Sequence, residues 1–353
     1  MKQIKIAFPG LQNIPTVGLN TLIEGFDDKF EFDVCKNPSD ADFVAITGFA
    51  SYHEVLDFCE KYQDKIIIAR TGEACFIDFN LIDYGIGFDE QIVGDRYFRP
   101  FITCCWLFPS WVLRLAASID PEAIKVNLAQ KTGFCNFIYS SANAHASRDV
   151  FFHQLSTYRK VDSLGRHLKN CETPLPECRW WEQEFFDFKG RYKFSIAFEN
   201  ATHPGYNSEK IATSMFGDTI PIYWGDPSIA TYYNPKSFIN CHDYKNFEQV
   251  IEKVKELDSD DEKYLEMLQQ PWLTSEQIKL VKASEMEYRK WVENIFSQPY
   301  EQAFRKPTGW MNNTYRTILS KASKPSAEGF FTNASLSKLA RVLKKYNSHL
   351  ARW

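Results

Sequence analysis

No glycine-rich phosphate loop is written into these 353 residues. Neither Gly-x-Gly-x-x-Gly nor the Walker pattern occurs, which argues against a nicotinamide-dependent dehydrogenase and a P-loop kinase. The nine cysteines contain no Cys-x-x-Cys pair, and none of the seven histidines pair at ligand spacing, so a zinc site has no framework. An odd, scattered cysteine set is the usage of free thiols in a reducing cytosol. No apolar run approaches the roughly 20 residues of a membrane span. The opening Met1–Gly10 has too short an apolar run for a secretory leader and reads as a first strand. No internal repeat or low-complexity segment stands out. The formal net charge is −4, and nucleic acid is not among the expected partners.

What the chain does have is length enough for two cores and an aromatic content of 16%. The first half alternates short apolar runs with mixed segments. Ile4–Ala7, Phe30–Cys35, Phe43–Thr47, Lys65–Ala69 and Tyr84–Phe88 read as strands, with Val17–Phe26 and Tyr52–Tyr62 as helices between them. Cys104–Ala117 reads as a helix leaving that domain. A second unit begins near Lys131, with strands Phe134–Tyr139, Tyr192–Phe198 and Ile220–Tyr223 and helices at Ser147–Tyr158, 208–217, Phe247–Leu257 and Asp261–Gln269. Such alternation predicts parallel α/β domains. The expected division is 1–130, 131–301 and a tail, 302–353, with linkers at Pro307–Gly309 and 324–329.

Lys193–Asn240 is the most informative stretch. An apolar strand ends in Glu199-Asn200. A loop with Pro204 and Gly205 follows, and a helix opens on Ser208-Glu209-Lys210. A second apolar strand ends in Trp224-Gly225-Asp226-Pro227. Two parallel strands joined by one helix bring these polar residues together at the strands' carboxyl ends, where open α/β sheets bind ligands. A lysine at a helix start suits a phosphate, and a glutamate beside it suits a ribose hydroxyl pair. A nucleotide or nucleotide-sugar site is the reading.

This stretch resembles glycosyltransferase family 10, the α-1,3/4-fucosyltransferases. The resemblance rests on Phe198-Glu199-Asn200, on Tyr206 with Ser208-Glu209-Lys210, on Ile220–Gly225 and on Asn234–Ile239. Weaker similarity covers about residues 65–300. It implies the GT-B architecture: two Rossmann-like domains facing a cleft, acceptor domain first and donor domain second. Sequence pattern alone equally permits other two-domain Rossmann-like enzymes. It implies GDP-fucose as donor, with Lys210 and Arg148 on the diphosphate, Glu209 on the ribose, and Asn200 and Tyr206 lining the nucleotide pocket, the Tyr206 ring either stacking on the base or packing the loop. Glu199 is expected to orient the loop or the sugar. Glu73, after the strand Lys65–Ala69, matches a glutamate proposed as general base in bacterial members. Arg96 and Arg99 are expected to line the acceptor cleft. The Asp258-Ser259-Asp260 triplet resembles a metal-binding DxD, but it lies between two predicted helices, where such acids cap the second. With two cations at the diphosphate, no metal or other cofactor is required.

Residues 302–353 carry ten Lys/Arg against Glu328 alone, a balance of +9 that leaves −13 for residues 1–301. Leu336, Leu339, Val342, Leu343, Tyr346, Leu350 and Trp353 recur at helical spacing among Lys338, Arg341, Lys344, Lys345 and Arg352. A basic amphipathic helix of this kind fits an anionic membrane surface; the alternative is packing on its own body or on a second subunit as a homodimer. The expectation is therefore an inverting fucosyltransferase acting on a GlcNAc-containing oligosaccharide or lipid-linked glycan. It would be bacterial, cytoplasmic and peripherally attached to the inner membrane. The rivals are a GT-B enzyme using another nucleotide sugar and a non-catalytic carbohydrate-binding scaffold.

Overall fold

A computed structural model describes residues 1–10, 19–47, 52–104, 109–117 and 119–322. Strands β1 (Lys2–Ala7), β2 (Phe30–Cys35), β3 (Phe43–Thr47), β4 (Ile66–Arg70), β5 (Tyr84–Ile86) and β6 (Tyr97–Phe98) form one sheet. Their order is β2-β1-β3-β4-β5-β6, every neighbouring pair parallel. Strands β7 (Gly133–Phe137), β8 (Val161–Ser163), β9 (Tyr192–Phe198), β10 (Ile220–Trp224) and β11 (Ile239–Asn240) form a second parallel sheet, ordered β8-β7-β9-β10-β11. Sheets covered on both faces need near-continuous apolar strands. β3 (Phe-Val-Ala-Ile-Thr) and β4 (Ile-Ile-Ile-Ala-Arg) meet that need, with every residue buried. β2 lies on the edge and keeps Glu31 and Asp33 on its open face.

Among the described residues the helices are α1 (Tyr52–Lys61), α2 (Pro109–Leu115), α3 (Pro121–Gln130), α4 (Ser147–Tyr158), α5 (Gln183–Gly190), α6 (Glu209–Phe216), α7 (Ile229–Tyr232), α8 (Phe247–Ser259), α9 (Asp261–Leu268), α10 (Ser275–Ser297), α11 (Tyr300–Ala303) and α12 (Trp310–Ala322). Their starts are chemically marked. Asp120 caps α3 ahead of Pro121, Asn246 caps α8, and Thr274 with Gln277 forms a capping box on α10. Asp260 caps α9 through the amides of Glu262 and Lys263, while Asp258 pairs with Arg159 and Lys193. The DxD-like triplet is thus a helix junction.

Both sheets have the doubly wound order in which the chain reverses direction beside its first strand. The resulting crevices open at the carboxyl ends of β1 and β3 and of β7 and β9. Arg148 follows β7, and Asn200 follows β9. The domain division differs from the expected one at its C-terminal end. α10 starts on the second domain, where Gln277 donates to the carbonyls of Ala230 and Thr231. It ends on the first, where Tyr288, Val292, Ile295 and Phe296 join the core under β1, β3 and β4. α12 then lies beside α1, with Tyr315 donating to Asp78 at 2.7 Å and Arg316 to the Cys59 carbonyl at 3.0 Å. Residues 302–322 therefore complete the first domain, and Arg305, Lys306 and Arg316 serve its packing. The basic helix expected at 336–353 lies outside the described residues. Of the helix expected over Val17–Phe26, the described part is a 3-10 turn at Leu19–Leu22. The chain then turns at Gly25, whose φ of +76° no longer fits a helix. No described helix is long and apolar enough to cross a membrane.

Candidate active site

Six of the nine residues singled out from the sequence, Glu73, Arg148, Asn200, Glu199, Glu209 and Lys210, meet where the two domains face each other. Arg70 ends β4, and the turn beyond it is tied down. Thr71 N donates to Ile86 O at 2.9 Å, Thr71 Oγ1 to Glu73 O at 3.1 Å, and Cys75 N to Glu73 O at 2.7 Å. Glu73 is exposed at this turn. Asn200, from the other domain, donates through Nδ2 to Glu73 Oε2 at 3.1 Å and accepts from Arg148 at 2.6 Å through Oδ1. Arg148 itself is buried, with its guanidinium 4.0 Å over the Tyr139 ring and a second bond to the Phe198 carbonyl at 3.2 Å. One amide thus links a cation of the second domain to a carboxylate of the first.

Lys210 opens α6 beside this bridge. Its Nζ donates to Ser208 Oγ at 2.8 Å and lies 3.2 Å from Glu199 Oε2 and 3.4 Å from Glu209 Oε1. Burial opposes its charge, but the carboxylates of Glu199 and Glu209 outweigh burial and hold its pKa well above the ordinary value. Burial works against ionised Glu209 too, yet Lys210 and local hydrogen bonds win, so its carboxyl sits low. For Glu199 burial prevails and its carboxyl is pushed up, with Glu209 adding repulsion against the pull of Lys210. Glu73 is also raised. Although the residue keeps part of its surface in solvent, its carboxyl abuts Asn200 of the second domain; desolvation there is the main cause, and Lys210 and the Asn200 hydrogen bond partly reverse it. The raised Glu73 carboxyl of the first domain and the raised Lys210 amine of the second are thus electrostatically coupled across the boundary.

The cluster is not fully satisfied. Arg148 Nε, Tyr206 Oη and Asn207 Oδ1 are buried without a hydrogen-bond partner. A narrow slot of about 20 Å³ beside Glu209 and Ser208 is walled by Arg70, Thr71 and Gly72 of the first domain. A larger cavity of about 210 Å³, between the first domain and α10, is lined by Phe26, Phe98, Phe101, Val281 and Tyr288 and holds none of the site residues.

Three expectations change and one is narrowed. Glu199 is fully buried and accepts from Ser208 N at 2.8 Å and Ser208 Oγ at 2.7 Å, so of its two expected roles the structure carries the orienting of the loop: it anchors the helix start and Lys210 from behind. Tyr206 is not an open stacking ring. It is 1% exposed, and its edge packs on Phe88 of the first domain at 4.8 Å. Arg96 is not in the acceptor cleft, because its guanidinium donates to the carbonyls of Asp83, Phe79 and Ile82. Arg99 donates to the Phe88 carbonyl at 3.1 Å, bonds Tyr232 of the second domain and pairs with Glu90, forming a latch between domains.

Residues without an assigned role turn out to shape the site. Asp226 Oδ1 accepts from Gly205 N at 3.0 Å, and Oδ2 accepts from Asn207 at 3.0 Å, so it moulds the loop ahead of α6. Gly225, at φ +155°, is required because a Cβ there would lie 2.4 Å from Glu199 Cγ. Gly205, at φ +85°, is required because a Cβ would lie 2.1 Å from the Phe88 carbonyl across the domain boundary. The Trp-Gly-Asp run was visible in the sequence. What it touches was not.

Two parallel α/β domains with this charged cluster at the second domain's switch point have the architecture of GT-B glycosyltransferases. Residues 128–302 match the model of the glycosyltransferase family 10 (fucosyltransferase) C-terminal region, and the chain belongs to that family. It is 32% identical over 282 residues to an α-(1,3)-fucosyltransferase of Helicobacter pylori, an alignment covering 68% of this chain and 53% of that protein. It is 26% identical over 269 residues to GDP-fucose protein O-fucosyltransferase 3 of Gallus gallus, covering 70% and 56% respectively. A crystal structure of an α1,3-fucosyltransferase with GDP-fucose superposes with a TM-score of 0.63 at 26% identity, over 85% of this chain and 93% of that one. The chain spans about half the length of the two curated relatives.

Proposed function

We propose that this protein transfers L-fucose from GDP-β-L-fucose to a hydroxyl of a GlcNAc-containing glycan, with inversion and without a metal. The observation that carries the reading is the Arg148–Asn200–Glu73 bridge, which sets a phosphate-type cation and a raised carboxylate on either side of one cleft. Lys210 and Arg148 hold the diphosphate, with Glu209 at the ribose. Glu73 takes the proton from the acceptor hydroxyl. That oxygen bonds to C1 of fucose on the face opposite the diphosphate, the C1–O bond to phosphate breaks, and GDP leaves with the electron pair. Two cations aimed at the leaving diphosphate stabilise charge where it develops, and the cleft supplies the alignment. The anionic membrane partner expected of residues 336–353 stays part of this proposal on the strength of the sequence alone, as does a cytoplasmic, membrane-peripheral location.

Incubation with GDP-fucose and type 1 or type 2 lactosamine, followed by linkage analysis, tests the reading. An α-linked fucosyl product is expected. Release of no GDP above the protein-free rate would count against it. A second reading, transfer to serine or threonine of a polypeptide, is favoured by the name of the Gallus gallus relative, and a peptide acceptor in the same assay separates the two.

A further inference from the structure

Phe76 presents a large apolar ring to solvent three residues after Glu73. It is 60% exposed. Among the described residues few aromatic rings are comparably open, and the others, Tyr158 and Tyr300, belong to α4 and α11, away from the Glu73 turn. The ring is not loose. It stands 5.8 Å from Phe88 of its own domain and 5.1 Å, edge to face, from His203 of the other. Phe88 is buried and contacts both His203 and Tyr206. Phe76 is therefore the open end of an aromatic row that crosses the domain boundary beside the base.

A single exposed apolar side chain is ordinary on a protein surface. What sets Phe76 apart is its place at the end of an aromatic row beside the Glu73 turn, since ligand sites combine aromatic walls with a few placed polar groups. The polar groups expected to receive the acceptor, Arg96 and Arg99, are committed to carbonyls and to the domain latch. We infer that Phe76 is the acceptor platform: its open face takes the C–H face of a pyranose ring and thereby sets that sugar's hydroxyl beside Glu73. The negative face of an aromatic ring attracts polarised C–H groups, and a pre-braced ring loses little freedom on binding. A serine or threonine on a peptide offers no such face, so the inference favours a glycan acceptor. It rests on the fucosyl-transfer reading above.

The test compares wild type, Phe76→Ala and Phe76→Trp with GDP-fucose and N-acetyllactosamine. The alanine variant should raise acceptor KM by about two- to tenfold, the size of one aromatic contact, while the tryptophan variant keeps it close to wild type. GDP affinity, slow hydrolysis of GDP-fucose and Tm should be unchanged in both. An unchanged acceptor KM in the alanine variant overturns the inference. So does a parallel loss of GDP affinity and Tm, which would make Phe76 a brace between domains. Transfer to a peptide alone, with Phe76→Ala as active as wild type, also overturns it. Failure of the wild type to bind GDP would show itself before any variant is compared, and would remove the donor reading and this inference together.

Discussion

Lys306 and Lys210 each lie against a buried carboxylate, in different domains, and the two clusters are built to different ends. Lys306 Nζ sits 2.7 Å from Asp83 Oδ2, with both side chains at most 1% exposed. Asp83 is saturated: Oδ1 accepts the amides of Arg305 and Lys306 at 2.7 and 2.8 Å, and Oδ2 also accepts Ile67 N at 2.7 Å. Burial pushes the Lys306 amine down, and the single carboxylate only partly offsets this. Lys210 instead has two carboxylates, a 19% exposed side chain and a raised pKa. The first arrangement is closed and fastens the chain's return segment to β4 and β5. The second keeps its lysine charged and partly open at the domain boundary, as a ligand site requires.

The comparison can be broken in steps. The largest effect should come from Glu73→Gln, which removes a general base and should lower turnover by about 10²–10⁴-fold while GDP affinity stays constant. Steady-state kinetics with calorimetry checks this, and turnover within a few-fold of wild type would move the base elsewhere. Next comes the closed cluster. Lys306→Ala leaves Asp83 charged and buried without its cation, and should cost about 3–5 kcal/mol of stability by denaturant titration. Its turnover per folded molecule should match wild type. The smallest effect concerns pH. Glu73 must be ionised to act, so turnover rises as pH climbs through its raised pKa. The Asn200 hydrogen bond favours the ionised form, so Asn200→Ala should move that acidic limb to higher pH, as read from a pH–rate profile. A limb that stays in place would mean that Glu73 does not titrate in the profile.

Much of the clustering around Lys210 was legible because its residues are adjacent. Ser208-Glu209-Lys210 sits between an apolar strand and a helix, and local order alone puts all three at one switch point. The strand-end position of Glu73 was legible in the same way. Arginine roles were not. Arg96 and Arg99 look alike in sequence, yet each is fixed by carbonyls and rings that only the fold brings near. Tyr206 failed as a stacking ring because the first domain covers it with Phe88. The domain boundary failed because an amphipathic helix announces an apolar face without saying which domain covers it. α10 covers one domain at its start and the other at its end. Charge counting failed on residues 305–316 for a related reason: Lys306 and Arg316 are buried and Arg305 pairs with Asp95.

The central claim is that the Lys210 cluster receives the diphosphate of GDP. Calorimetric titration of GDP into wild type and Lys210→Ala tests it most directly. A charge-assisted phosphate contact of about 1.5–3 kcal/mol predicts binding by wild type and a tenfold to hundredfold weaker affinity in the variant. Equal affinity in the two proteins, or tighter binding of UDP than of GDP by wild type, would contradict the account.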